Sequence, residues 1–183
     1  MIDKKALLVI DMQKGSFVPE TPRFDTEGVV KKINKLAEKF RREGHSVIFI
    51  QHDGTDSGEF EKHNWDWELL EELEAEDSDL LIDKYANDCF YNSGLESKLN
   101  ELSIQELVIT GCATDFCVES TIQSALSKDY FITVVSNAHT TADRPNLSAK
   151  QVIDHYNWVW ENMILTKGRI IVKSAESILS GPL

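Results

Sequence analysis

Three side chains far apart in the sequence have the types that acyl transfer needs: a thiol at Cys117, a carboxyl at Asp11 and an ammonium at Lys84. A thiolate attacks a carbonyl carbon far better than a thiol, and a free cysteine is only slightly ionised near neutrality. A carboxylate within hydrogen-bond reach can take the thiol proton and later return it to a leaving amine. An ammonium beside them favours both anions. The chemistry implied is formation of a thioester on the cysteine, loss of amine or ammonia, and hydrolysis of the thioester. Each residue also has an ordinary role. A cysteine at a strand–helix junction packs as a small apolar residue, an aspartate after a strand caps a turn, and a strand-terminal lysine is solvated. Convergence of the three is what would mark a site.

The elements that must bring them together can be read from periodicity. Residues 107–110 form a short apolar, partly β-branched run, Gly111 punctuates it, and Val118, Ile122 and Ala125 recur at helical spacing. Cys117 thus opens a helix that Thr114 or Asp115 can cap. Free N–H groups and the positive helix end favour a thiolate there and can hold an oxyanion. Further strands are expected at 6–10, ending at Asp11, at 46–51, at 80–84, ending at Lys84, at 131–135 and at 169–173. Between them lie a helix over 26–43 stopped by Gly44, one capped by Ser93, one capped by Ser148 and a short one at 67–73. The segments 14–22 and 52–65 read as loops. Strands alternating with helices imply an α/β fold: a three-layer α/β/α sandwich with a Rossmann-like, six-stranded, mostly parallel sheet. Ligands of such sheets bind beyond the carboxyl ends of the strands, near the switch point. Asp11, Lys84 and Cys117 follow the first, third and fourth strands at that edge.

Composition bounds the function classes. A chain of 183 residues with 42% apolar content is most simply one domain, 1–183, with a sizeable core. A formal net charge of −12 argues against nucleic acid or an anionic membrane as partner, since phosphate contacts need clustered Lys and Arg. No apolar run is long enough to span a bilayer. The first residues enter a strand with no secretory signal, so a cytoplasmic location is expected. Cys89, Cys112 and Cys117 are too few for a disulfide framework and read as free thiols.

The motifs Ala6-Leu-Leu-Val-Ile-Asp-Met-Gln13, Asp83-Lys84 and Ile109-Thr-Gly-Cys-Ala-Thr-Asp-Phe-Cys-Val118, continued by residues 134–141 and His155-Tyr-Asn157, resemble the isochorismatase-like cysteine hydrolases, which include nicotinamidases and N-carbamoylsarcosine amidase. The resemblance runs through nearly the whole chain. It implies Asp11 as general base and acid, Lys84 as its cationic partner and Cys117 as nucleophile. It places the oxyanion hole at the backbone N–H groups of Ala113 and Cys117, and a non-proline cis peptide between Cys112 and Ala113. The substrate class implied is a small amide, carbamoyl compound or lactam, with no cofactor. The metal-binding loop of nicotinamidases reads Gln51-His-Asp-Gly-Thr-Asp-Ser-Gly58 here, which leaves His52 and Asp53 as candidate ligands where three are wanted. No metal is therefore expected. Phe17, His52, Trp65, Phe90 and Phe116 are the expected substrate-binding residues, aromatic walls of a small pocket. Trp158 and Trp160 are core or interface, and the family's habit implies a homo-oligomer, dimer or tetramer. Two alternatives stand beside this reading: a metal-assisted nicotinamidase, and a non-catalytic redox module in which Cys112 and Cys117 form a reversible disulfide.

Overall fold

The computed structural model describes residues 4–55, 57–165 and 167–183. Its strands are β1 (Lys5–Ile10), β2 (Ser46–His52), β3 (Leu80–Lys84), β4 (Glu106–Cys112), β5 (Phe131–Thr140) and β6 (Arg169–Lys173). They form one sheet in the order β3-β2-β1-β4-β5-β6, and every neighbouring pair is parallel. The helices are α1 (Thr26–Arg42), α2 (Leu95–Glu101), α3 (Glu119–Ser127), α4 (Ala149–Glu161) and α5 (Ala175–Ser180).

Alternation along β1 shows why both faces must be covered. Leu7 and Val9 pack with Val30, Ile33 and Phe40 of α1 and with Ile178 of α5. Ala6, Leu8 and Ile10 point the other way, onto Leu95, Leu99, Ile122 and Trp160 of α2, α3 and α4. The result is the expected three-layer sandwich, with a sheet parallel throughout. Chain order reverses between β1 and β4, so the switch point lies where those strands end.

Local signals held where they were strong. Gly44 ends α1 with φ +78°. Ser148 accepts from the Gln151 N–H while the Gln151 side chain accepts from the Ser148 N–H, a complete capping box on α4. Three expectations are corrected. Residues 67–73 form turns, not a helix, because nonlocal bonds take the backbone groups a helix would need: Gln13 and Gln51 both donate to the Trp67 carbonyl, and Leu70 N–H donates to Met12 O at 3.0 Å. Gly111 does not end β4. With φ +116°, it lies inside the strand, where an added Cβ would sit 2.1 Å from the Ile10 carbonyl oxygen. β5 runs on past Val135 to Thr140, its pairing with β4 resuming at Gly111–His139 after a register shift. Among the described residues no helix is long and apolar enough to cross a membrane.

Candidate active site

At the carboxyl edge of the sheet the three expected side chains meet. Asp11 leaves β1 with φ +47°, a left-handed conformation that aspartate tolerates. Lys84 ends β3 beside His52 of β2, and its stem crosses that strand toward Asp11. The ammonium is fully buried, and its three donors have three acceptors. They are Asp11 Oδ2 at 2.8 Å, the Ala86 carbonyl at 2.8 Å and Cys117 Sγ at 3.4 Å. Cys117 Sγ in turn donates to Asn87 Oδ1 at 3.6 Å. The second carboxylate oxygen of Asp11, Oδ1, is buried and has no hydrogen-bond partner among the described residues.

Burial opposes the charge on Lys84, but Asp11 and then Cys117 outweigh it and leave the ammonium above the ordinary lysine value. The Cys117 thiol is pushed up, first by burial and then by the Asp11 charge, against the pull of Lys84. Both effects favour the protonated thiol over the thiolate expected at a helix terminus, and the local geometry departs from that expectation as well. Cys117 does not open an α-helix but is the fourth residue of a π turn, Thr114–Val118, with α3 beginning two residues later.

That turn is held from two sides, so neither Thr114 nor Asp115 serves as a side-chain cap. Asp115 accepts two bonds from Arg144, at 2.7 and 2.9 Å, and one from Thr141 Oγ1 at 2.7 Å. Thr114 Oγ1 lies 2.8 Å from His139 Nδ1, and His139 Nε2 lies 3.0 Å from Asn157 Oδ1. The Asn157 amide nitrogen is committed to Ser136 O, so its oxygen accepts from Nε2–H, and Nδ1 accepts from the Thr114 hydroxyl. Burial drives this imidazole down to about 4, with the Asn157 bond pulling the other way, and the Trp160 ring meets it edge-on at 5.2 Å. The peptide bond between Cys112 and Ala113, just before the turn, is cis.

A family model described as the isochorismatase domain matches residues 5–164. This chain belongs to the isochorismatase family. Ureidoacrylate amidohydrolase RutB of Stutzerimonas stutzeri (strain A1501) is 32% identical, with 73% of this chain and 68% of the relative covered. The RutB protein of Variovorax paradoxus (strain S110) is 29% identical over 73% and 67%. A crystal structure of an isochorismatase family protein superposes with TM-score 0.86 and 29% identity, covering 95% of this chain and 100% of the other. N-carbamoylsarcosine amidase from Thermoplasma acidophilum gives TM-score 0.74 and 26% identity over 96% and 98%.

In this isochorismatase-family hydrolase the expected aromatic walls fall into different places. His52 is half-buried beside the trio, its imidazole lowered by burial and then by the Lys84 charge. Phe116, 49% exposed, lies under the Arg144 guanidinium at 4.9 Å, next to Cys117 in the chain. Phe17 and Trp65 line a cavity of about 260 Å³ with Lys14, Val18, Pro19 and Leu70, and none of Asp11, Lys84 or Cys117 borders it. Phe90 departs from the expectation of a pocket wall: it is a core residue, stacked on Tyr130 at 5.6 Å, because α2 and α3 close over it. Asp53 accepts from Thr55, and among the described residues no three His, Cys, Asp or Glu side chains converge on a metal position. Cys112 packs in the α1 layer and Cys117 against the opposite one, so the sheet separates the thiols that a redox switch would join. Burial raises the Cys112 and Cys89 thiols to about 12. Sequence reasoning missed Asn87 and Arg144, and for His139 it gave a structural hydrogen-bonding role without its partners. Asn87 carried a faint signal, three residues past Lys84 in the same loop, but contacts of His139 with Thr114 and of Arg144 with Asp115 span 25 and 29 residues, beyond any local pattern.

Proposed function

We propose that the chain hydrolyses a C–N bond of a small amide, carbamoyl compound or lactam through a thioester on Cys117. The observation that carries this is the divided role of Asp11: Oδ2 is fixed by Lys84, while Oδ1 is buried, unpartnered and adjacent to the ammonium that also touches the sulfur. Leaving a buried carboxylate oxygen unsatisfied is costly, and a general base must keep such a lone pair open. Asp11 takes the thiol proton, the sulfur attacks the carbonyl carbon, and the N–H groups of Ala113 and Cys117 receive the oxyanion. The leaving nitrogen takes the proton back from Asp11, and water repeats the sequence on the thioester. Lys84 holds the carboxylate and steadies the sulfur anion as it forms. His52 and Phe116 wall the approach. The relatives named for ureidoacrylate and N-carbamoylsarcosine support a carbamoyl-type substrate.

A panel of small amides, ureido acids and lactams, assayed for ammonia release with wild type and Cys117→Ala, tests the proposal. Turnover in the wild type that vanishes in the variant is expected; a variant as active as wild type would refute the nucleophile. The working form we propose is a homo-oligomer, supported by Trp158, which is 62% exposed on α4 while Trp160 is buried. Light scattering that returns the monomer mass would remove that part.

A further inference from the structure

We infer that Asn87 makes the enzyme selective for substrates whose scissile group carries an N–H, such as primary carboxamides and carbamoyl compounds, because it is the resting acceptor of the thiol hydrogen. The inference rests on Cys117 being the nucleophile. Asn87 is exposed and lies in the loop that the Ala86 carbonyl ties to the Lys84 ammonium at 2.8 Å. Its Oδ1 receives the Cys117 Sγ–H at 3.6 Å, while Asp11 Oδ1, the base's open oxygen, receives nothing. A thiol has one hydrogen to donate. At rest that hydrogen goes to Asn87 Oδ1, on the exposed side of the sulfur, while Asp11 lies close enough to raise the proton affinity of the thiol.

A ligand N–H arriving at the mouth of the site competes for Asn87 Oδ1. Once it occupies that oxygen, the S–H has lost its partner and Asp11 Oδ1 is the remaining acceptor. The proton moves from sulfur to Asp11 and the sulfur electron pair forms the S–C bond. The C–N bond then breaks with its pair going to nitrogen, which takes the proton from Asp11. An oxygen ester or a fully substituted amide offers no N–H, leaves Asn87 bound to the thiol, and reacts more slowly. Nucleophile activation is in this way coupled to recognition of the leaving group.

Iodoacetamide and methyl iodoacetate probe this without a known substrate, since they present the same electrophilic carbon beside an NH₂ or a methoxy group. In either reaction the S–C bond forms as iodide leaves with the C–I pair, and the thiol proton passes to Asp11. Alkylation is followed by intact mass, each rate divided by that of free cysteine under the same conditions. Cys89 and Cys112 are buried, and Cys117→Ala serves as the blank. Wild type is expected to favour iodoacetamide by about threefold to tenfold, the reach of one neutral hydrogen bond. In Asn87→Leu and in the smaller Asn87→Ala the normalised ratio falls to about one. Asn87→Asp keeps an acceptor and keeps the preference, while both rates drop because the added charge disfavours the thiolate. A wild-type ratio near one, or a preference that survives in Asn87→Leu and Asn87→Ala, overturns the inference and leaves the nucleophile standing. If wild-type Cys117 reacts with neither reagent, the proposed function falls and the inference with it.

Discussion

Replacing His139 by glutamine should flatten the acid side of the stability profile. The imidazole is 1% exposed and lowered to about 4 by burial, against 6.5 for the ordinary group. Between those values the unfolded chain binds a proton that the folded chain excludes. The contribution is therefore fully present above pH 6.5 and is lost as pH falls toward about 4, below which it changes no further. At about 1.4 kcal/mol per pH unit, the gap amounts to about 3 kcal/mol in all, and to about 2 kcal/mol by pH 5. Protonation also requires Nδ1 to give up its bond from the Thr114 hydroxyl, so the loss is felt at the turn that carries Cys117. Urea unfolding followed by tryptophan fluorescence at pH 7, 6 and 5 measures it. Wild type should lose about 2 kcal/mol more than His139→Gln between the extremes. Parallel losses in the two proteins would refute the reasoning, as would an NMR titration of folded His139 with its midpoint at the ordinary imidazole value.

Asp11→Asn should lower the Cys117 thiol, since the Asp11 charge helps to raise it. Ultraviolet thiolate absorbance should then appear at lower pH than in wild type, while turnover falls by about a hundredfold or more for want of the base. Gly111→Ala forces a side chain into φ +116° and 2.1 Å from Ile10 O, so a stability loss on the order of 3 kcal/mol or more is expected in urea unfolding. Turnover should drop with it, because Ile10 immediately precedes Asp11.

What could be read in advance was the part of the molecule governed by local rules. The run at 6–10 is apolar for its whole length, and that at 131–135 is broken only by Thr133, because helices cover both sheet faces, and that alone ordered the strands into a parallel sandwich. Its switch point then gathered Asp11, Lys84 and Cys117 at one edge. The misreadings share a cause. Residues 67–73 have a helical spacing of apolar side chains, yet Gln13 and Gln51 claim the Trp67 carbonyl from elsewhere in the chain. Thr114 and Asp115 look like caps, but a buried histidine and an arginine far along the chain reach them first. The thiol was read from its neighbours in sequence, whereas its proton affinity is set by burial and a carboxylate that arrives through the fold. Phe90 has the residue type of a pocket wall, but only the packing of α2 and α3 decides that it faces inward.

The sheet ends on β3, five residues long and hydrogen-bonded on one side only, and its last residue carries the cation of the site. Five strands can stay intact while this outermost one peels away, and peeling removes Lys84 from Asp11 and Cys117 at once. Margins of sheets open at lower free energy than the interior. Turnover that depends on Lys84 thus depends on an edge strand, and it should fade under gentle warming or dilute chaotrope while fluorescence still reports an ordered interior. Any ligand that bridges β3 to β1 acts as a clasp on that edge.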